Sequence, residues 1–382
     1  MIQIFCIYLL LCLTHSTHNH HILPQEAYIW QKKWNNSLKP AIEQTMPFIT
    51  GWRFLAGESE PDGQVIYPSI EFNILQQSHL PLTAVYRFDR LRPLPSVDEV
   101  LTLIQQSPAY QTHHIHHIEL DLDWPTSKLP IYIQLLRSLK TKLPQDVQLN
   151  ITMIPDWMRS PVFPELTEQI PYPVLQVHSV DNPQTGLFND EAALAYIRKM
   201  DHLTHHPFYI ALPTYGLKIQ ATPSGTIYAI EGENDFKTGH SGQELYSDPQ
   251  QVRNLINKLQ QNTPTNLKGI VWFRLPIVSD QRNWSHDTWM AMIRHQPLKG
   301  QIIVQEIPDS NNPGAIKIML FNQGNIALPL PPMVPLRCHI ADGLFPYQLS
   351  LNNQGKYMLN LIKQVAPLNT HQERVIGWMR CD

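Results

Sequence analysis

The chain has 382 residues, enough for one large domain and a smaller one. Hydrophobic residues make up 43% and charged residues 16%, which fits a packed core and excludes a disordered chain. The formal net charge of −3 provides no basic field, so nucleic acid is not an expected partner.

Ile2 to Leu13 form an apolar run of signal-peptide-core length, too short to span a bilayer. Thr14-His15-Ser16 follows with small residues suited to cleavage, so residues 1–20 read as a signal peptide, although no Lys or Arg precedes the run. Cys12 invites lipidation, but Leu11 stands before it where a small residue is expected. The expectation is an exported bacterial protein, periplasmic or extracellular, monomeric, with no membrane span. Cys6 and Cys12 leave with the leader. Cys338 and Cys381 either pair in an oxidising compartment, closing a loop worth roughly 4 kcal/mol, or remain two thiols.

Strand-like runs then alternate with helical ones. Ala27 to Trp30 reads as a first strand and Phe48 to Phe54 as a second, with a polar Gly57–Gly63 hairpin leading into Val65–Phe72. Ala84 to Phe88 is the third, followed by a helix near Val97–Gln106. In Ile118-Glu119-Leu120-Asp121-Leu122-Asp123-Trp124-Pro125 three carboxylates alternate with large apolar residues. A strand here puts Glu119, Asp121 and Asp123 on one face and Ile118, Leu120 and Leu122 on the other, towards covering helices. Carboxylates inside a parallel sheet are costly unless paired or used, so they form either a structural ion pair or a functional site. Leu129 to Leu143 has helical spacing, with Ser127 as its N-cap. Val147–Ile154, Val174–His178 and Phe208–Leu212 read as strands five to seven, with a helix capped by Asp190 running to Met200. Asp248-Pro249 opens another helix, Ile270–Phe273 is the eighth strand, and a helix follows Asp287.

Eight strands alternating with helices predict an α/β fold, a (β/α)8 TIM-type barrel over residues 24–297. Beyond Pro297 the helical period disappears. Runs at Gln301–Val304, Ala315–Phe321, Pro335–Ile340, Tyr347–Leu351 and Lys356–Ile362 read as a small all-β sandwich over 298–382. Its expected role is packing.

Active sites of such barrels lie at the C-terminal strand ends. That places Asp121, Asp123 and Trp124 after strand four, Asp156 and Trp157 after five, Gln176 and His178 at six, Tyr215 after seven, and Trp272 and Arg274 at eight. His113-His114-Ile115-His116-His117 falls on the opposite end, so no metal or other cofactor is expected. Trp52, Trp124, Trp157, Tyr215 and Trp272 either fill the core or share a pocket in which sugar rings stack.

Several segments resemble the chitinase-like glycoside hydrolases of family 18. Leu120-Asp121-Leu122-Asp123-Trp124 is similar to that family's strand-four signature, Ala211-Leu212-Pro213-Thr214-Tyr215-Gly216 to its strand seven, and Gly269-Ile270-Val271-Trp272-Phe273 to its strand eight. Gln176-Val177-His178 occupies the place of its strand-six polar-aromatic pair. The whole chain resembles an uncharacterised bacterial family, domain of unknown function 3142, more closely. The resemblance implies a carbohydrate ligand, with Asp121 and Asp123 catalytic and Trp124, Gln176, His178, Tyr215 and Trp272 binding substrate; strand-end position adds Asp156, Trp157 and Arg274 to the binding set. One residue departs from the resemblance: Pro125 stands where family 18 carries its acid glutamate. Either Asp123 or Asp156 replaces that acid, or catalysis is lost and the barrel is a carbohydrate-binding or envelope scaffold protein.

Overall fold

A computed structural model describes residues 22–89, 94–178, 186–222, 227–232, 242–363 and 365–381. The expected signal peptide lies outside the described residues. The barrel strands are β1 (Gln25–Ile29), β2 (Gly51–Ser59), β3 (Leu82–Phe88), β4 (His117–Asp121), β5 (Gln148–Met153), β6 (Val174–Gln176), β7 (Phe208–Pro213) and β8 (Leu267–Phe273). Each pairs in parallel with the next. β8 returns to β1 with Ile270 opposite Gln25, so the sheet closes into a (β/α)8 barrel.

Closure leaves every strand covered on both faces, and their alternation sorts two cores. Ile118, Leu120 and Leu122 point outwards into the large layer between barrel and helices. There they join Tyr132, Ile133, Leu136 and Leu139 of the helix Leu129–Lys142. Each fully buried Leu or Ile contributes about 1.5–3 kcal/mol there. Tyr28, Trp30, Leu55, Val85, Val174, Ala211 and Val271 point inwards and fill the barrel.

Helix boundaries follow the capping chemistry. Ser96 and Glu99 form a reciprocal capping box at Val97–Gln105, and the Asp248 side chain accepts from Gln250 N ahead of Pro249. Two expected caps are corrected. Ser127 sits in a 3-10 turn, and the helix after it opens at Leu129 with no side-chain cap. Asn189, not Asp190, caps the helix Asp190–Leu203, because its side chain reaches Ala192 N.

Between β7 and the helix Pro249–Gln261 lies a three-stranded antiparallel sheet of Gly216–Ala221, Ile227–Glu231 and Gln243–Tyr246, with Gly216–Ala221 in the middle. It was not anticipated from the sequence.

The C-terminal region has two antiparallel sheets. Ile302–Pro308, Ala315–Asn322, Glu373–Arg380 and Ile340–Gly343 form one; Met333–Pro335, Tyr357–Leu361 and Tyr347–Leu351 form the other. They share a core of Ile318, Leu320, Val334, Tyr347, Leu359, Ile376 and Met379. The single expected run Pro335–Ile340 is instead two separate strand ends. Glu373–Arg380, not read as a strand from the sequence, is central to its sheet. Gly377 permits its close pairing there, since a Cβ would lie 2.6 Å from the Asp342 carbonyl oxygen. Cys338 and Cys381 are disulfide-bonded, with Cα atoms 5.0 Å apart.

Candidate functional site

The three β4 carboxylates share the inner face but meet different surroundings. Glu119, the deepest, is fully buried. It accepts hydrogen bonds from Tyr28 Oη and Arg53 Nη1, while Arg53 Nε donates to Glu26 at 2.7 Å. Burial keeps the Glu119 carboxyl above its ordinary value despite both partners. Burial pulls the Arg53 guanidinium down, but Glu119 and Glu26 more than offset it, and Tyr209 covers its face at 5.0 Å. This is the structural ion pair that the sequence left open.

Asp121 lies one step higher. Thr152 Oγ1 donates to its Oδ1 at 2.7 Å, and Gln176 Nε2 approaches the same oxygen at 3.5 Å. Arg87 Nε is 3.8 Å from Oδ2, and Arg87 Nη1 pairs with Glu58 at 2.7 Å. Burial raises the Asp121 carboxyl, while Arg87 and Thr152 pull it back down. Asp123, just past the strand end, is exposed and accepts from Gln176 Nε2 at 3.1 Å. Both carboxylates open onto a cleft of about 200 Å³ at the C-terminal mouth of the barrel.

The cleft has an aromatic wall. Tyr28, Trp30 and Phe273 pack edge to face with centroids 5.0–5.8 Å apart. His178 stacks on Phe273 with centroids 5.9 Å apart, Tyr215 meets Phe273 edge-on at 5.4 Å, and Tyr215 Oη and His178 Nδ1 lie 3.0 Å apart. Burial lowers His178 to about 4, so its ring is neutral at pH 7, and raises the Tyr215 phenol, with the Asp123 charge adding to the effect. His178 Nε2 is buried without a hydrogen-bond partner among the described residues. A backbone bridge to Asn283 ties down Tyr215.

Asp121, Asp123, Gln176, His178 and Tyr215 are therefore brought together, and the other candidates are not. Trp272 is fully buried on the outward face, where its Nε1 donates to Gln25 at 2.9 Å and its ring lies 6.1 Å from Trp284. Trp52 is likewise buried in the outer core. Trp124 and Trp157 pack beneath the β4 loop, joined by Trp157 Nε1 donating to the Trp124 carbonyl. Arg274 is buried in a 2.8 Å pair with Asp280. Asp156 is exposed and faces Arg159 at 3.3 Å, away from the cleft lining. The expected shared aromatic pocket is thus corrected: only Tyr215 of that set lines the cleft. Tyr28, Trp30, Arg87, Thr152 and Phe273 line it too and were missed. The available signal was alternation. Trp30 is two residues from Tyr28, and Phe273 two from Val271, all on the inner face.

Of the histidine run, His113 stacks on Phe72 with centroids 3.7 Å apart, and His116 Nδ1 is 2.7 Å from Asp146. Among the described residues no three His, Cys, Asp or Glu side chains are grouped to hold a metal ion, and no helix is long and apolar enough to cross a membrane.

A family described as "Domain of unknown function (DUF3142)" matches residues 81–278, more than half of the chain. The chain belongs to that family. The DUF3142 match holds Arg87, the carboxylate pair and the His178–Tyr215 couple, while Tyr28 and Trp30 precede it. A second domain of unknown function, DUF8456, matches residues 305–382. No curated protein matches the chain. Among solved structures, the spore cortex-lytic enzyme SleL of Bacillus cereus is similar at 13% identity and a TM-score of 0.51, over 72% of this chain and 75% of that one. A chitinase from Bacteroides thetaiotaomicron aligns at 12% identity, TM-score 0.49, over 66% and 90%. A class V chitinase from Nicotiana tobaccum in complex with NAG4 aligns at 14%, TM-score 0.45, over 70% and 99%. At these identities the likeness to SleL is one of fold: the DUF3142 barrel is glycoside-hydrolase-like in architecture.

Proposed function

We propose that this DUF3142 protein is exported and acts on a glycan as a glycoside hydrolase, with Asp121 and Asp123 as its acid–base centre. The carrying observation is the contact pair itself, two carboxylates bridged by one amide at the mouth of the barrel beside an aromatic wall. Interacting carboxyls titrate as a unit, so a retained proton belongs to the pair, and Asp123 is the exposed member that reaches a ligand. Trp30 and Phe273 supply faces for sugar stacking. The cleft is smaller than the roughly 300–1,000 Å³ usual for enclosed ligand sites, which suits one unit or one end of a longer chain. Residues 24–297 form the site-bearing domain, and 298–382 a packing domain. The Cys338–Cys381 bond supports an oxidising compartment.

A second reading is favoured by Pro125. It is exposed and opens the turn Thr126–Lys128, at the position where the chitinase-like signature has an acid. A prolyl side chain has no proton to give, so the barrel would bind sugars without cleaving them. Reducing-end release from a panel of oligosaccharides, paired with binding to the same panel, separates the two. Hydrolysis means turnover that falls about 10²–10⁴-fold in Asp123→Asn with affinity little changed. Binding without turnover selects the second reading, and an active protein indifferent to Asp123→Asn rejects the acid–base assignment.

A further inference from the structure

Gln176 stands in an unusual position for a ligand contact. A side-chain amide nitrogen carries two N–H groups. Gln176 Nε2 lies 3.1 Å from Asp123 Oδ1 and 3.5 Å from Asp121 Oδ1, so its donors serve the carboxylates rather than the cleft. Two carboxylates in one site repel unless a donor or a proton lies between them.

We propose that Gln176 is a positioning residue: its amide bridges Asp121 and Asp123 and holds them close enough to titrate as one pair. The proposal rests on the reading of that pair as the acid–base centre. On Asp121 both Thr152 and Gln176 donate to Oδ1, which leaves Oδ2 as the oxygen for a retained proton. That oxygen faces Arg87, whose charge opposes protonation there, while burial of Asp121 favours it. These opposed influences narrow the difference between the two placements, which suits a proton that must be handed on. Among the described residues, the other groups whose charge reaches the pair are Glu119 beneath it, already held by Arg53, and the phenols of Tyr28, Tyr215 and, from the helix layer, Tyr132. All three phenols are raised by burial and neutral at working pH. Glu58 and Asp89 also act on Arg87, Glu58 through a 2.7 Å pair.

The test is a carbon-13 titration of the aspartate carboxyls in the full chain, without ligand. In the wild type the pair should show two separate steps. Gln176→Met should bring them together by about one pH unit, because Asp123 loses the Gln176 donor and the two carboxylates are no longer tethered to each other. Thr152→Val, which removes a donor from Asp121 alone, should instead raise the upper step and widen the gap. Opposite responses mark a bridge, whereas general loosening of the site would move both variants alike. Steps unchanged by Gln176→Met, or displaced in the same direction, overturn the proposal. If that variant does not fold, Gln176→Asn, which withdraws the amide by one methylene, must show the same convergence. Convergence in a protein that cleaves no glycan keeps the bridge and rejects hydrolysis; cleavage without convergence does the reverse.

Discussion

Burial holds the folded His178 ring at about 4, whereas an unfolded histidine titrates near about 6.5. Between those values the unfolded chain binds a proton that the folded chain does not, so stability falls as the solution is acidified. The gap is about 2.5 pH units, and at about 1.36 kcal/mol per unit His178 alone removes about 3 kcal/mol between pH 7 and pH 4. The side chain is 9% exposed, so solvent screening is minor. Asp121 and Glu119 act in the opposite direction. Their folded values are raised, so acidification through the window between unfolded and folded values relieves a penalty. The wild-type curve mixes these effects, and the difference from His178→Gln isolates the histidine. Glutamine is neutral at every relevant pH and can still bond Tyr215. Urea unfolding followed by tryptophan fluorescence reports mainly on the barrel, since eight of the nine tryptophans precede residue 290. Wild type should lose about 3 kcal/mol more than His178→Gln from pH 7 to pH 4. Parallel curves for the two proteins would falsify the assignment of a buried, neutral imidazole.

Glu119→Leu should cost about 3–5 kcal/mol in urea unfolding, because Arg53 loses a buried partner, and adding Arg53→Met should recover much of that loss; a single variant as stable as wild type rejects the interior ion pair. Thiol titration of the denatured, unreduced protein should find neither Cys338 nor Cys381 free, and replacing both by Ala should cost roughly 4 kcal/mol; two titratable thiols remove the bond. Trp30→Ala should weaken glycan binding as well as stability, whereas Trp272→Ala should cost about 3–5 kcal/mol of stability and leave glycan binding by the folded protein unchanged. A stable Trp272→Ala protein that has lost glycan binding reverses their placement.

The barrel was readable because each strand is a short apolar run bounded by turn residues, and because the β4 carboxylates announce an inner face by alternation. Which face is inner was not readable elsewhere. In β8 both Trp272 and Phe273 are large and aromatic, and a strand covered on both sides gives no polar residue to set the phase. By sequence alone either aromatic fits the barrel interior; closure against β1 turns Phe273 inwards and Trp272 outwards. β1 had the same defect, and Trp30 was passed over. The roles of Thr152 and Arg87 arise only from pairing between neighbouring strands, which no local pattern encodes. In the C-terminal sheets, Glu373–Arg380 escaped notice because a register shift between Ile318 and Met319 and the glycine at 377 interrupt its alternation.

The seam that closes the barrel also fixes when it closes. β1 is made well before β8, and Gln25 must wait for Ile270 before its second edge is paired. At roughly 5–20 residues per second the delay is about 10–50 s, during which Tyr28 and Trp30 sit on an open strand edge, a template for unwanted pairing. Docking against β2 alone leaves that edge unprotected, and Glu119 cannot receive Tyr28 and Arg53 together until β4 has been made. Barrel formation therefore waits for β8. A chain ending at residue 265 should bind a hydrophobic dye and be cut rapidly by protease; a resistant, dye-negative fragment would show that β1 is protected without β8.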